Sequence, residues 1–102
     1  MFKRTMSLTV VVGFVAWSAP VTPSPAAVSA FERGEKALLQ QQYAEAIRAY
    51  NEALKATPDY APAHNGLGSA LFKQKKSDEA MAQFRAATAA DPSFKLGWFN
   101  LG

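Results

Sequence analysis

From Phe31 onward the apolar residues of this chain recur at helical spacing, in segments separated by polar or proline-containing stops. A segment containing Ala37, Leu38 and Leu39 runs out in Gln40, Gln41 and Gln42. Tyr43 opens the next, in which Ala46, Ile47, Tyr50, Ala53 and Leu54 fall at i, i+1, i+4, i+7 and i+8. That spacing draws one apolar stripe down a helix. Thr57-Pro58-Asp59 ends it, because proline lacks an amide donor and restricts the residue before it. The plan then repeats. Pro62 sits where a first helical turn tolerates it, and Leu67, Ala70 and Leu71 face inward with Phe72 alongside. Lys73, Lys75 and Lys76 give that helix a basic carboxyl end. Ser77 is suited to cap the next helix, with Asp78 and Glu79 in its first turn. Ala80, Met81, Phe84, Ala87 and Thr88 form its stripe, and Asp91-Pro92 stops it. The pattern predicts an all-α chain of antiparallel helix pairs.

The two pairs repeat each other at a spacing of 34 residues. Gly34 recurs as Gly68, Ala46 as Ala80, Tyr50 as Phe84, Ala53 as Ala87 and Pro58 as Pro92. Leu67-Gly68 recurs as Leu101-Gly102. Such a period marks stacked helical hairpins, which offer a surface rather than a reaction centre. The small residues fit close helix approach at Gly34, Gly68, Ala46 and Ala80, and Tyr50 and Phe84 fill the space between hairpins.

The 102 residues allow one small domain, and the formal charge is +3. Residues 31–102 hold nine Lys/Arg and eight Asp/Glu, a difference of +1. This leaves no electrostatic case for nucleic acid. With no cysteine there is no disulfide, thiol chemistry, thiolate metal site or lipoprotein-type anchor.

The first thirty residues have another character. Met1 to Arg4 carry Lys3 and Arg4, Met6 to Trp17 carry no charge, and Pro20, Pro23 and Pro25 follow among small residues. That order describes a secretory signal peptide, and an apolar run of 12 residues is short of the roughly 20 needed to span a bilayer. Val28-Ser29-Ala30 offers cleavage after Ala30, so that residues 1–30 would be the leader. Ser29 to Glu32 also reads as a capping box, which cleavage after Ala26 (Ser24-Pro25-Ala26) would spare.

The repeating units resemble the tetratricopeptide repeat family. Residues 61–94 carry Leu67, Gly68, Ala80, Phe84, Ala87 and Pro92 at the family's spacing, and residues 27–60 carry Gly34, Tyr43, Ala46, Tyr50, Ala53 and Pro58. Residues 95–102 show Trp98, Leu101 and Gly102, the family's Trp-x-x-Leu-Gly opening of a third repeat. His64, Arg33, Ala37, Leu71 and Ser77 depart from the family pattern without moving the register. The resemblance implies an α-solenoid of antiparallel helix-turn-helix repeats. It further implies a concave groove, lined by the first helix of each hairpin, for an extended peptide or a partner helix. Here that face would carry Glu35, Leu38 and Leu39, then Asn65, Ser69, Phe72 and Lys73, then Leu96 and Phe99. Family members that grip a terminal carboxylate use Lys, Asn and Arg, and Glu35 argues against that clamp here.

No constellation points to catalysis, a cofactor or a metal. His64 is the sole histidine and falls at a helix-packing position. The Gly66-Leu67-Gly68 pair lies inside a helix, without the strand a phosphate-binding loop needs. The lysines at 73, 75 and 76 read as a solvated helix end. The expectation is an exported interaction module, periplasmic or secreted, acting as scaffold or adaptor in a cell envelope and binding a protein or peptide. The alternatives are the recognition segment of a larger enzyme or secretion machine, and a membrane-anchored form that keeps its apolar segment. A third repeat that stops in its first helix leaves Leu96, Trp98, Phe99 and Leu101 without a cap, so the reading adds a truncated array prone to self-association at its carboxyl end.

Overall fold

The computed structural model describes residues 22–93. Four helices follow one another: α1 Pro25–Leu39, α2 Tyr43–Ala56, α3 Ala61–Lys73 and α4 Ser77–Ala90. α1 pairs with α2 and α3 with α4, and α2 packs on α3 to join the hairpins, with α1 also touching α3. This is the all-α stack of antiparallel hairpins that the 34-residue period predicts. The third unit at 95–102, with Leu96 and Phe99, lies outside the described residues, as does the segment before Thr22.

The core is built mostly of alanine. Among the described residues 15 buried hydrophobic side chains form it, of which 11 are Ala and only Tyr50, Leu67, Leu71 and Phe84 are larger. Small residues let the helix axes approach, and a few large side chains fill what is left. Ala27, Ala30, Gly34 and Ala37 form the buried face of α1, and Ala46, Ala49, Tyr50 and Ala53 that of α2. The stripes read from the sequence hold: Ile47 and Leu54 flank the second as half-buried neighbours, and Ala80, Phe84 and Ala87 repeat it on α4.

The glycines show how tight the approach is. A Cβ added to Gly34 would lie 2.7 Å from Tyr50 Cε1, and one on Gly68 would lie 2.6 Å from Phe84 Cε1. The expected close contacts at 34 and 68 are therefore present, each glycine facing the large ring of its own hairpin. Gly66 adds a contact absent from the sequence reading. Its Cβ would lie 2.6 Å from Tyr50 Cε1, so the ring of Tyr50 is held between a glycine of α1 and a glycine of α3.

Two capping assignments are corrected. Ser29 does not begin a helix; it lies exposed within α1, which starts at Pro25 with Ser24 as N-cap. Ser24 Oγ accepts from the amide of Ala27 at 3.1 Å, and proline at the first position has no amide to leave unpaired. Ser77 is the first residue of α4 rather than its cap; Lys76 occupies the cap position with no side-chain hydrogen bond. The preceding turn explains the shift. Lys75 takes a left-handed φ of 67°, its amide bonds to Phe72 O at 2.9 Å, and the Lys76 amide bonds to Leu71 O at 3.0 Å. The same Schellman closure occurs one period earlier, with Gln41 at φ 62° and the bonds Gln41 to Leu38 and Gln42 to Ala37.

Side chains pay a steric penalty in that conformation, which glycine avoids. Lys75 is exposed and has no contact to lose. Lys75→Gly is expected to stabilise the fold by about 0.5–1 kcal/mol after the extra freedom of the unfolded chain is counted. Circular dichroism should show a midpoint roughly 3–6 °C higher.

Candidate functional site

α1 and α3 are the first helices of the two hairpins and lie next to one another. With the small faces of both helices turned to the core, the residues at i, i+4 and i+7 beside them line the open side. On α1 these are Phe31, Glu35 and Leu38; on α3, 34 residues later, Asn65, Ser69 and Phe72. Glu35 and Leu38 on α1 correspond by the 34-residue period to Ser69 and Phe72 on α3, and Asn65 to Phe31. Leu39 and Lys73 end their helices at matching rim positions and are both exposed, Leu39 at 85 %. Phe72 is 42 % exposed, a large apolar surface in the last turn of α3.

Phe31 belongs to this face and is missing from the sequence-derived set. Its ring is half-buried against Tyr50, with centroids 5.9 Å apart, and edge-on to Tyr60, at 5.4 Å. The signal was present, since Phe31 stands four residues before Glu35. It was masked by its place beside the presumed cleavage point.

Glu35 is not a free surface charge. The hydroxyl of Tyr50 passes between Gly34 and Gly66 and donates to Glu35 Oε2 at 2.8 Å. A buried side chain of α2 thereby holds a carboxylate on the open side of α1. Asn65 Oδ1 is buried and has no hydrogen-bond partner among the described residues, a situation that costs about 1–3 kcal/mol.

His64 supports the structure instead of offering chemistry. Nε2 lies 2.9 Å from Pro58 O, a group that only accepts, so the proton sits on Nε2. Nδ1 lies 2.8 Å from Gln83 Oε1, and with the proton on Nε2 a half-turn of that amide presents its NH2 as the donor to Nδ1. One ring thus ties α3 to α4 and to the preceding turn. Among the described residues no group of acidic, histidine or cysteine side chains could hold a metal ion, and no helix is long and apolar enough to cross a membrane. The Arg33–Glu52 ion pair joins α1 to α2 on the exposed side and holds the Glu52 carboxyl below its usual range. At that exposure such a pair adds little to stability.

Burial foremost, then the bond to Glu35 and its charge, push the Tyr50 phenol well above the ordinary tyrosine range. In the unfolded chain this group ionises near pH 10. The unfolded state therefore sheds its proton first. The Tyr50 contribution to stability is intact below about pH 10 and is lost above it, at about 1.4 kcal/mol per pH unit. Tyr50→Phe should be less stable by about 1 kcal/mol at pH 7, where it lacks the hydroxyl bond. Urea titrations at pH 7 and near pH 11 should show that difference vanish or reverse at the alkaline end.

A family model described as tetratricopeptide repeat matches residues 31–93. The chain is a tetratricopeptide-repeat protein. Three relatives share its repeats. The small glutamine-rich tetratricopeptide repeat-containing protein 2 of Saccharomyces cerevisiae is 33% identical over 70 residues, 69% of this chain and 20% of that protein. The Hsp70-Hsp90 organizing protein of Triticum aestivum is 30% identical over 71 residues, 70% of this chain and 12% of that protein. The chloroplastic tetratricopeptide repeat domain-containing protein PYG7 of Arabidopsis thaliana is 30% identical over 80 residues, 74% of this chain and 27% of that protein. This chain thus spans roughly an eighth to a quarter of each relative. The tetratricopeptide repeat is a protein–protein interaction architecture, and its likeness to these relatives extends over the hairpins that carry the open face.

Proposed function

We propose that this tetratricopeptide-repeat chain binds a protein partner, as an extended segment or a helix, along the open face of α1 and α3. The observation that carries this reading is Phe72, exposed on α3 in the same register as Leu38 on α1. An exposed aromatic anchor beside a half-buried aliphatic one is the usual source of affinity in such a groove. Glu35, held in place by Tyr50, favours a basic-apolar segment over an acidic tail. The chain acts as a scaffold or adaptor and carries no catalysis of its own.

The amino-terminal order of positive, apolar and small residues supports export to an envelope compartment, and cleavage there supports a soluble form over an anchored one. The greater length of the relatives also supports a second setting, in which this pair of hairpins is the recognition segment of a larger assembly.

A photo-crosslinking amino acid at Ser69, compared with one at exposed Arg85 on α4, tests the face. Crosslinks to a partner should form from position 69 in the producing cells and not from 85. Phe72→Glu should reduce them at least tenfold with the thermal midpoint little changed, as expected for losing an exposed anchor. Equal crosslinking from both positions would overturn the assignment of the face.

A further inference from the structure

We infer that the exported form begins ahead of Ser24, and that the leader is cut between Ser18 and Ala19. The inference rests on the export reading above, and its structural half stands on the start of α1. Ser24 is a joint between two helices: its amide donates to Thr57 Oγ1 at 3.0 Å, and its Oγ accepts from the Ala27 amide at 3.1 Å. Thr57, at the end of α2, is buried, and its hydroxyl points back at Ser24 Oγ, 3.4 Å away. Ala27 and Ala30 are 0% and 2% exposed.

Neither cleavage point read from the sequence respects this joint. A cut after Ala30 removes six of the 15 residues of α1, including two of its four buried ones. It also places an ammonium group on Phe31, whose ring packs on Tyr50 and Tyr60, at the positive end of the helix dipole. A cut after Ala26 places that ammonium on Ala27, which is fully buried, and burying an unpaired charge is costly. Both cuts strip the N-cap and leave the Thr57 hydroxyl without its partner.

The sequence holds a better site next to the apolar run. Ala16-Trp17-Ser18 has small residues at the first and third positions and follows Met6 to Val15 directly, the arrangement a signal peptidase reads. Val28-Ser29-Ala30 lies much farther down the chain. At the proposed bond water adds to the Ser18 carbonyl carbon and the C–N bond breaks. Ser18 keeps the carboxylate, and the amine passes to Ala19. The residues from Ala19 to Pro23 then lead into an intact cap.

Intact mass and amino-terminal sequencing of the exported full chain test the bond. An amino terminus at Ala19 is expected, and Ser18→Leu should leave the chain uncut. A terminus ahead of Ser24 but not at Ala19 overturns the assigned bond and keeps the first half of the inference; one at Ala27 or Phe31 overturns both. A wholly uncut exported chain overturns the assigned bond and the cleavage reading together. The structural half has its own test. Chains starting at Ala19, Ala27 and Phe31, made without a leader, should differ, the third melting roughly 10 °C or more below the first. Equal melting of all three overturns it however export turns out.

Discussion

Phe84→Ala is expected to abolish cooperative folding. Phe84 is one of two large side chains that are fully buried, and it faces Gly68 within its own hairpin. Removing a buried phenylalanine costs about 3–5 kcal/mol, transfer and cavity together. The surroundings decide where in that range the loss falls. Gly68 stands against the ring and Ala80 shares its cluster, and neither has rotamers with which to fill the space. The cavity therefore persists, and the upper half of the range applies. A domain the size of residues 22–93 has a total stability of about 4–11 kcal/mol, and an alanine-built core places this one towards the lower end. The variant should show a broad, shifted or absent melt by circular dichroism. Phe84→Leu, which keeps most of the volume, should retain a sharp transition at a lower midpoint. A wild-type melt from Phe84→Ala would mean that the second hairpin is not held by its ring.

The parts of the fold legible in the sequence are those in which one residue type has one use. A proline after a helical stripe ends that stripe, and Pro58 and Pro92 do so, with α2 closing at Ala56 and α4 at Ala90. Glycine paired with an aromatic at a constant spacing means a close approach, and the Gly34–Tyr50 and Gly68–Phe84 contacts are such approaches. What escaped depends on partners distant in sequence or on conformations without a marked residue. Gln41 and Lys75 take left-handed backbone where glycine would have announced it. Because the turn at Lys75 closes one residue sooner, the cap falls on Lys76 rather than Ser77. The start of α1 escaped for a third reason. Pro23, Ser24 and Pro25 have the composition of a leader's end, and only the bond from Ser24 to Thr57, 33 residues away, shows that they belong to the fold.

The candidate face divides in the same way. Leu38, Asn65, Ser69 and Phe72 follow from the 34-residue register alone. Glu35 was read as a charge on the groove, and its bond to Tyr50 was not legible. A contact that passes between two glycines of different hairpins has no local pattern. That bond joins the packing of the core to the chemistry of the face, because the ring that fills the space between hairpins also positions the carboxylate that a partner would meet.

Gly66→Ala tests that junction directly. A methyl group at 66 would lie within 2.6 Å of Tyr50 Cε1, closer than such atoms come, so the ring or α3 must move. The ring also stands close to Gly34, where an added Cβ would lie 2.7 Å from the same Cε1, so it has little room to move. Alanine favours the helix by about 1 kcal/mol over glycine, and overpacking costs about 1–3 kcal/mol. With the ring already packed closely against both glycines the upper end applies, and a net loss of about 2 kcal/mol is expected. The ring, if displaced, also takes its hydroxyl from Glu35, so partner crosslinking at Ser69 should weaken along with stability. A double-mutant cycle separates this from a generic effect of the substitution. In Tyr50→Leu the obstructing ring is gone, and Gly66→Ala on that background should be neutral or stabilising. The coupling energy would then be about 2 kcal/mol, as for residues in direct contact. Additive losses would show that Gly66 is kept for a reason other than Tyr50, and that the hydroxyl reaches Glu35 without needing the gap between two glycines.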